Sequence, residues 1–231
     1  MKKLVVFTGA GASADSGIST FRDADGLWAK YRIEDVCTPE ALARDRDTVI
    51  DFYNARRREV LEKSPNAAHR AIADLERYFD VQVVTQNIDD LHERAGSTRV
   101  MHLHGEITRL RSTADPDLTF PLQGWEQPKE LRAPDGALAR PHVVFFGEAV
   151  PMFEPAARIV GEAEVFVIVG TSLAVYPAAS LLHYVQNSAK IFVVDPHIPA
   201  TIGSEVEKIP LRAAEGMPLL ADRLIREYAL G

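Results

Sequence analysis

The 231-residue sequence predicts an α/β fold: a parallel sheet with helices on both faces, plus a smaller lobe made from two insertions. Two regularities and one irregularity predict it. Short apolar runs rich in β-branched residues recur at 4–7, 81–84, 142–146, 165–169 and 191–194, each followed by polar residues or glycine. Strands buried on both faces read this way. Helical patterns at 47–62, 67–78, 177–186 and 217–228 lie between the runs, and strand–helix alternation implies parallel pairing. Residues 23–64 and 107–140 break the rhythm. The first stretch is mostly helical with no strand candidate; the second carries Pro116, Pro121, Pro128 and Pro134 and little periodicity.

Each strand candidate hands over to residues with chemistry. After the first run comes GAGASADSG, with Gly9, Ala10, Gly11 and Ser13. Glycine permits a tight turn and close approach of the backbone to a ligand, and a helix beginning there would aim N–H groups at a phosphate. A dinucleotide site fits, as does a plain strand-to-helix turn. The acidic ribose partner of ordinary dehydrogenases, expected about 20 residues on, is not evident. After the second run, TQNIDDLH places Gln86, Asn87, Ile88 and Asp89 at the end of a strand, where open α/β sheets bind ligands. Helix capping would account for Asn87 or Asp89, but not for the cluster.

A short strand candidate at 100–103 runs into HLHG. Alternation sets His102 and His104 on one face. A histidine there can act as a base near neutral pH, or serve structure alone. Metal ligation by the pair lacks an obvious third ligand. Gly170, Thr171 and Ser172 follow the fourth run and suit ribose or phosphate contacts, or a simple turn. Asp195 follows the last, as a ribose acceptor or the opener of an Asp-Pro turn.

Bulk composition narrows the classes. Hydrophobic residues make up 46% and charged residues 26%, as in an ordinary globular protein. A net charge of −7 argues against a general nucleic-acid binder. The single cysteine, Cys37, cannot form an intramolecular disulfide or a multi-cysteine zinc site, and reads as a small buried residue. The apolar run at 4–7 is too short for a signal segment and no later stretch approaches a membrane span, so no membrane association is expected and a cytoplasmic location is.

Five motifs, in order, resemble the sirtuins, the NAD-dependent protein-lysine deacylases: GAGASADSGISTFR at 9–22, TQNIDDLH at 85–92, HLHG at 102–105, PHVVFFGE at 141–148 and GTSLAVYPAA at 170–179. The resemblance implies a Rossmann-like large domain from about 1–22, 65–106 and 141–231, and a small domain from about 23–64 and 107–140. It implies NAD as co-substrate, with the loop holding Gly9, Ala10, Gly11, Ser13, Phe21, Arg22 and Trp28 over the pyrophosphate and nicotinamide. Gln86, Asn87, Ile88 and Asp89 would line the nicotinamide-ribose pocket, Gly170, Thr171, Ser172 and Asp195 the adenosine side, and Ala213 the adenine. Asp195 stands where the family often has asparagine. His104 would be the general base, with Asn87 and Asp89 orienting the ribose and a water. Val143, Val144, Phe145, Phe146 and Gly147 would pair with an extended substrate peptide. Nicotinamide and an O-acyl-ADP-ribose would be the products.

Tyr53 and Arg56, three apart in the helical insertion, share a face and resemble the Tyr-x-x-Arg of the bacterial class III-like subgroup that removes succinyl and malonyl groups. A guanidinium fork and a phenol suit a carboxylate, and acetyl-lysine should be accepted too. Arg57 and Arg58 read as a solvated basic face. Most sirtuins carry a four-cysteine zinc site between the HG and FGE motifs, whereas residues 107–140 hold no cysteine or histidine. A zinc-free small domain is expected, with Leu118, Phe120, Leu122 and Trp125 as candidates for a replacement apolar cluster, or as part of a loosely ordered loop that the proline spacing also permits. Two other functions stay open: an ADP-ribosyltransferase or NAD glycohydrolase, and an NAD-binding sensor without turnover.

Overall fold

A computed structural model describes residues 1–19, 30–171, 173, 176–199 and 202–229. Its centre is a six-stranded sheet of order β3-β2-β1-β7-β8-β9, formed by β1 (Lys3–Thr8), β2 (Asp80–Thr85), β3 (Val100–His102), β7 (Val165–Val169), β8 (Lys190–Val194) and β9 (Glu207–Ile209). Every pairing in it is parallel. The predicted runs at 4–7, 81–84, 165–169 and 191–194 are strands, buried on both faces as their composition requires. β9 was not foreseen, because Glu207-Lys208-Ile209 has no apolar run to announce it.

Helices cover both faces. On one, α5 (Ala67–Asp74) and α8 (Ala213–Leu224) pack Ile72, Met217, Leu220 and Leu224 against Leu4, Val6, Val81 and Val167. On the other, α7 (Phe153–Gly161) and a 3-10 helix at Ala178–Tyr184 pack Val160 and Leu181 against Val5, Phe7, Phe166 and Ile168. Fully burying each such aliphatic side chain contributes about 1.5–3 kcal/mol. Asn66 caps α5 and its backbone N–H donates to His69 Nδ1, a capping box with histidine in place of the usual glutamate.

The two irregular stretches form a second layer. The first folds as α2 (Ile33–Val36), α3 (Pro39–Arg44) and α4 (Arg46–Glu62), with Thr38 and Asp45 capping the last two. The second contains β4 (Gly105–Ser112) and β5 (Thr119–Pro121), which join β6 (Ala139–Val143) in an antiparallel sheet of order β5-β4-β6. Val49, Phe52, Tyr53, Ile107, Val143 and Phe145 share one apolar cluster between these helices and this sheet. The strand expected at 142–146 instead ends at Val143. The next amides turn to other acceptors: Val144 to the His104 carbonyl, Phe145 to the Glu148 carboxylate and Phe146 to the Cys37 carbonyl.

Two expectations for this layer are corrected. Leu118, Phe120 and Leu122 are only half-buried and Trp125 is 39% exposed, so they form no apolar core. Arg57, read as solvated, is 0% exposed. Its Nε donates to the Ile107 carbonyl at 2.6 Å, and its Nη1 to Asn54 Oδ1 at 2.9 Å and the Trp125 carbonyl at 2.8 Å. Asn54 and buried Gln127 exchange two further bonds, and Gln127 Nε2 reaches the Ala139 carbonyl. A proline-rich segment laid against a helix buries main-chain carbonyls that need donors, and a guanidinium with five N–H groups supplies them. Burial pulls the Arg57 pKa down to about 10. Arg58 is exposed and pairs with Glu62, as expected.

Candidate active site

Strand register builds the site. Thr8 pairs in register with Thr85 and with Val169, Thr85 with His102, and Val169 with Val194. The residues that follow these strands, Gly9, Gln86, Gly170 and Asp195, therefore emerge along one edge. Chain order runs outward in opposite directions from β1 and β7, so the topological switch lies between them. Crevices at such switch points are where open α/β sheets take ligands.

Glycine is required where the two loops cross. A Cβ on Gly9 would lie 2.7 Å from Thr171 Cβ, and one on Gly11 2.7 Å from Gly170 Cα. Gly170 has φ +61°, and its Cβ would fall 2.2 Å from the Ala12 nitrogen. The Gly9 and Gly11 amides bond the Val169 and Gly170 carbonyls, and Ala12 bonds Gly9. The short helix α1 (Ala10–Ala14) thus directs several of its leading N–H groups into the protein, rather than offering all of them to a phosphate. Gln86 Nε2 bonds Thr171 Oγ1 at 3.0 Å and ties the second loop to the third.

Ser13, Asn87 and Asp89 are buried together under this crossing. Asn87 Nδ2 donates to the Gly9 carbonyl and to Ser13 Oγ, both at 3.0 Å. Asp89 accepts from the Leu91 amide. Burial raises its pKa, while the Leu91 amide and the Ser13 hydroxyl oppose that rise. Ile88 is half-buried, its carbonyl bonded by the Ile107 amide. Behind them lie two histidines that sequence reasoning passed over. His69 Nδ1 accepts from Asn66, which leaves the Nε2 proton facing Ser13 Oγ at 3.4 Å. His92 Nε2 lies 3.0 Å from Thr8 Oγ1, whose proton goes to Thr85 Oγ1. Both are neutral: burial lowers His69 to about 4 and His92 well below the usual range. His92 sits in the TQNIDDLH motif, but its buried place had no sequence signal.

His104 lies in the turn from β3 to β4, half-buried. Its Nδ1 is 2.9 Å from the Gln86 carbonyl. A carbonyl can only accept, so the proton is on Nδ1 and Nε2 keeps its lone pair. Burial lowers the His104 pKa against the raising effect of the Gln86 bond, so the ring is neutral at neutral pH. Gly105, at φ +83°, lets the chain leave this turn: a Cβ there would meet the His142 carbonyl at 2.1 Å.

On the far side of the turn, Glu148 accepts from Arg111, from Arg140 and from the Phe145 amide. The Arg140 guanidinium lies 3.8 Å from the centroid of the Phe145 ring. This bracket fixes residues 143–147, leaving Phe146 exposed at 43% and Gly147 open. Glu148 stood in a quoted motif; Arg140 had no signal. On α4, Tyr53 is buried and stacks on Phe145 at 5.6 Å, and its hydroxyl is 3.0 Å from Cys37 Sγ. Arg56, also buried, donates to Glu59 at 2.7 Å and to the Ser19 carbonyl at 3.2 Å. Asp195 takes the turn-opening role, accepting from the His197 amide at 2.7 Å. Ala213, buried, begins α8. Phe21, Arg22, Trp28 and Ser172 lie outside the described residues.

A model of the Sir2 family matches residues 9–177. The chain belongs to the Sir2 family. An Aggregatibacter actinomycetemcomitans relative named an NAD-dependent protein deacylase is 54% identical over 193 residues, 84% of this chain and 92% of that one. A Bacteroides thetaiotaomicron protein of the same name is 50% identical over 97% of this chain and 99% of its own. The fold matches a crystal structure of a Sir2 homolog–NAD complex with TM-score 0.88 at 40% identity, covering 97% of this chain and 90% of that one. Among the described residues, no group of three or more His, Cys, Asp or Glu is placed to hold a metal, and no helix is long and apolar enough to cross a membrane.

Proposed function

We propose that this chain removes acyl groups from protein lysines with His104 as general base, and that it acts on succinyl and malonyl as well as acetyl groups. It is an NAD-dependent protein deacylase. NAD is the co-substrate and supplies an ADP-ribosyl group that takes the acyl group as nicotinamide leaves. One observation carries the assignment of roles: register brings Gly9, Gln86 and Gly170 out along one sheet edge, where Asn87 is bonded to the Gly9 carbonyl and the neutral His104 to the Gln86 carbonyl.

Gly9, Ala10, Gly11, Ser13, Gly170 and Thr171 would hold the dinucleotide where their loops cross, joined by Phe21, Arg22, Trp28 and Ser172, with Asp195 and Ala213 on the adenosine side. Gln86, Asn87, Ile88 and Asp89 would form the ribose pocket. Asn87, fixed by Gly9 and Ser13, presents a rigid amide, and positioning of this kind can supply a large share of a rate enhancement. His104 takes a proton on Nε2 from a ribose hydroxyl while the Gln86 carbonyl steadies the imidazolium that forms. Residues 143–147 would receive the substrate main chain, with the Glu148 bracket holding them; since the amides of Val144, Phe145 and Phe146 are committed, the peptide would use the remaining groups of that segment.

Tyr53 and Arg56 would recognise an acyl carboxylate. The Arg56 charge reaches the Tyr53 hydroxyl, so a carboxylate between them meets a cation and a donor. Arg56→Met is expected to lower desuccinylation about 10–100-fold, the loss of one charge-assisted interaction, and deacetylation far less. Equal losses in steady-state assays on the two peptides would defeat the carboxylate clamp. The small domain is read as holding together without zinc, through Arg57, Asn54 and Gln127. Metal analysis of the purified protein is expected to find no stoichiometric zinc; one zinc per chain would overturn that reading.

A further inference from the structure

His102 has no part in the chemistry above, yet it is held more tightly than His104. The two histidines are stitched to consecutive carbonyls of the same segment: His104 Nδ1 to Gln86 at 2.9 Å and His102 Nδ1 to Asn87 at 2.7 Å. The second nitrogens differ. His104 Nε2 carries a lone pair, whereas His102 Nε2 lies 2.8 Å from Glu93 Oε1. A carbonyl on one side and a carboxylate on the other both call for a donor. With its side chain 8% exposed, His102 is enclosed, while Glu93 is 41% exposed and reaches solvent through a cavity of about 470 Å³ lined also by Glu106, His142 and Met152.

We propose that His102 is a positioning residue of the deacylation reaction: held as an imidazolium by Glu93, it clamps the Asn87 main chain so that the Asn87 amide stays locked on Gly9 and Ser13. The groups around it agree. Glu93 on α6 (Leu91–Ala95), Glu106 on β4 and Asp89 in the loop after β2 are acidic. The neighbouring histidines are neutral: His92 is buried, and burial with the charges of Arg111, Arg109 and Arg140 lowers His142 to about 4; Arg99, on the same cavity, pairs with Asp80. Burial alone would lower the His102 pKa, but the Glu93 hydrogen bond and charge, the Asn87 carbonyl and Glu106 outweigh it and leave it raised. The two-sided clamp is present while His102 is protonated; as pH rises through that raised value the neutral ring keeps one N–H for two acceptors and the hold on Asn87 or Glu93 is lost. His104 must be unprotonated and His102 protonated, so the two set opposite limbs of a bell-shaped profile.

The inference rests on the deacylase reading of Asn87 and His104, and its first test needs neither NAD nor substrate. Imidazole NMR of the ligand-free protein should show His102 titrating above the ordinary histidine range, with Glu93→Gln lowering that titration by about one unit or more. In turnover, Glu93→Gln should move the alkaline limb of kcat down in parallel and leave the acid limb in place. His102→Leu should lower kcat about tenfold with a smaller change in KM for NAD, and His102→Gln, which can still donate to the Asn87 carbonyl, should recover part of the loss and flatten the alkaline limb. If His102→Leu fails to fold, the Gln variants carry the test. An unmoved His102 titration and alkaline limb in Glu93→Gln would overturn the clamp. Wild-type turnover in His104→Ala and Asn87→Ala would remove the parent reading as well, so the two failures are distinguishable.

Discussion

His104→Ala is expected to lower acyl-lysine turnover about 10²–10⁴-fold, the usual contribution of a positioned general base, with little change in thermal unfolding. The side chain is half-buried in a turn and, among the described residues, makes one hydrogen bond, to the Gln86 carbonyl, so removing it leaves no large cavity and one carbonyl to re-satisfy. The pH profile gives a second check. Base catalysis needs the neutral ring, and burial lowers its pKa. Activity of the wild type should therefore persist below the ordinary histidine range and fall off only under it. An acid limb at or above the ordinary value, or near-full turnover in the alanine variant, would assign the base elsewhere. Steady-state kinetics across pH, with a melting curve for each variant, make the distinction.

Arg57→Met should destabilise the chain by about 3 kcal/mol or more, since the Ile107 and Trp125 carbonyls lose a donor at about 1–3 kcal/mol apiece and Asn54 Oδ1 loses one of its two, keeping the Gln127 amide. For a chain of this size that is about 6–12 °C in Tm. Arg58→Met, one residue along and solvent-exposed, should cost within about 0.5 kcal/mol. Thermal or urea unfolding of the two variants side by side measures the difference. Equal, small effects would mean that the loop at 125–139 is not held by α4.

Arg57 also marks where sequence reasoning stops. The strands β1, β2, β7 and β8 were legible because their central residues are buried on both faces and nearly all apolar, Gln82 excepted. The loops at Gly9, Gln86 and Gly170 were legible because they follow those strands directly. The antiparallel strands were not: β4 mixes Glu106, Arg109 and Arg111 with Ile107 and Leu110, and the prolines around it hide the alternation. A buried arginine looks like an exposed one in sequence, because its partners are main-chain carbonyls that leave no pattern. The same holds for the Glu148 bracket and for His102, whose Glu93 partner is nine residues away and meets it only when α6 packs beside β3. The motifs mark the edge of the sheet; the contacts that brace it join residues that no motif links.

On the proposed function, NAD is consumed to carry the acyl group away. Incubating the purified chain with NAD and a succinyl- or acetyl-lysine peptide, with mass detection of all products, tests it directly. Free lysine peptide, nicotinamide and O-acyl-ADP-ribose in equal amounts are expected. Deacylation that releases free carboxylate without nicotinamide, ADP-ribose attached to protein with the acyl group intact, or no turnover of NAD at all would contradict it.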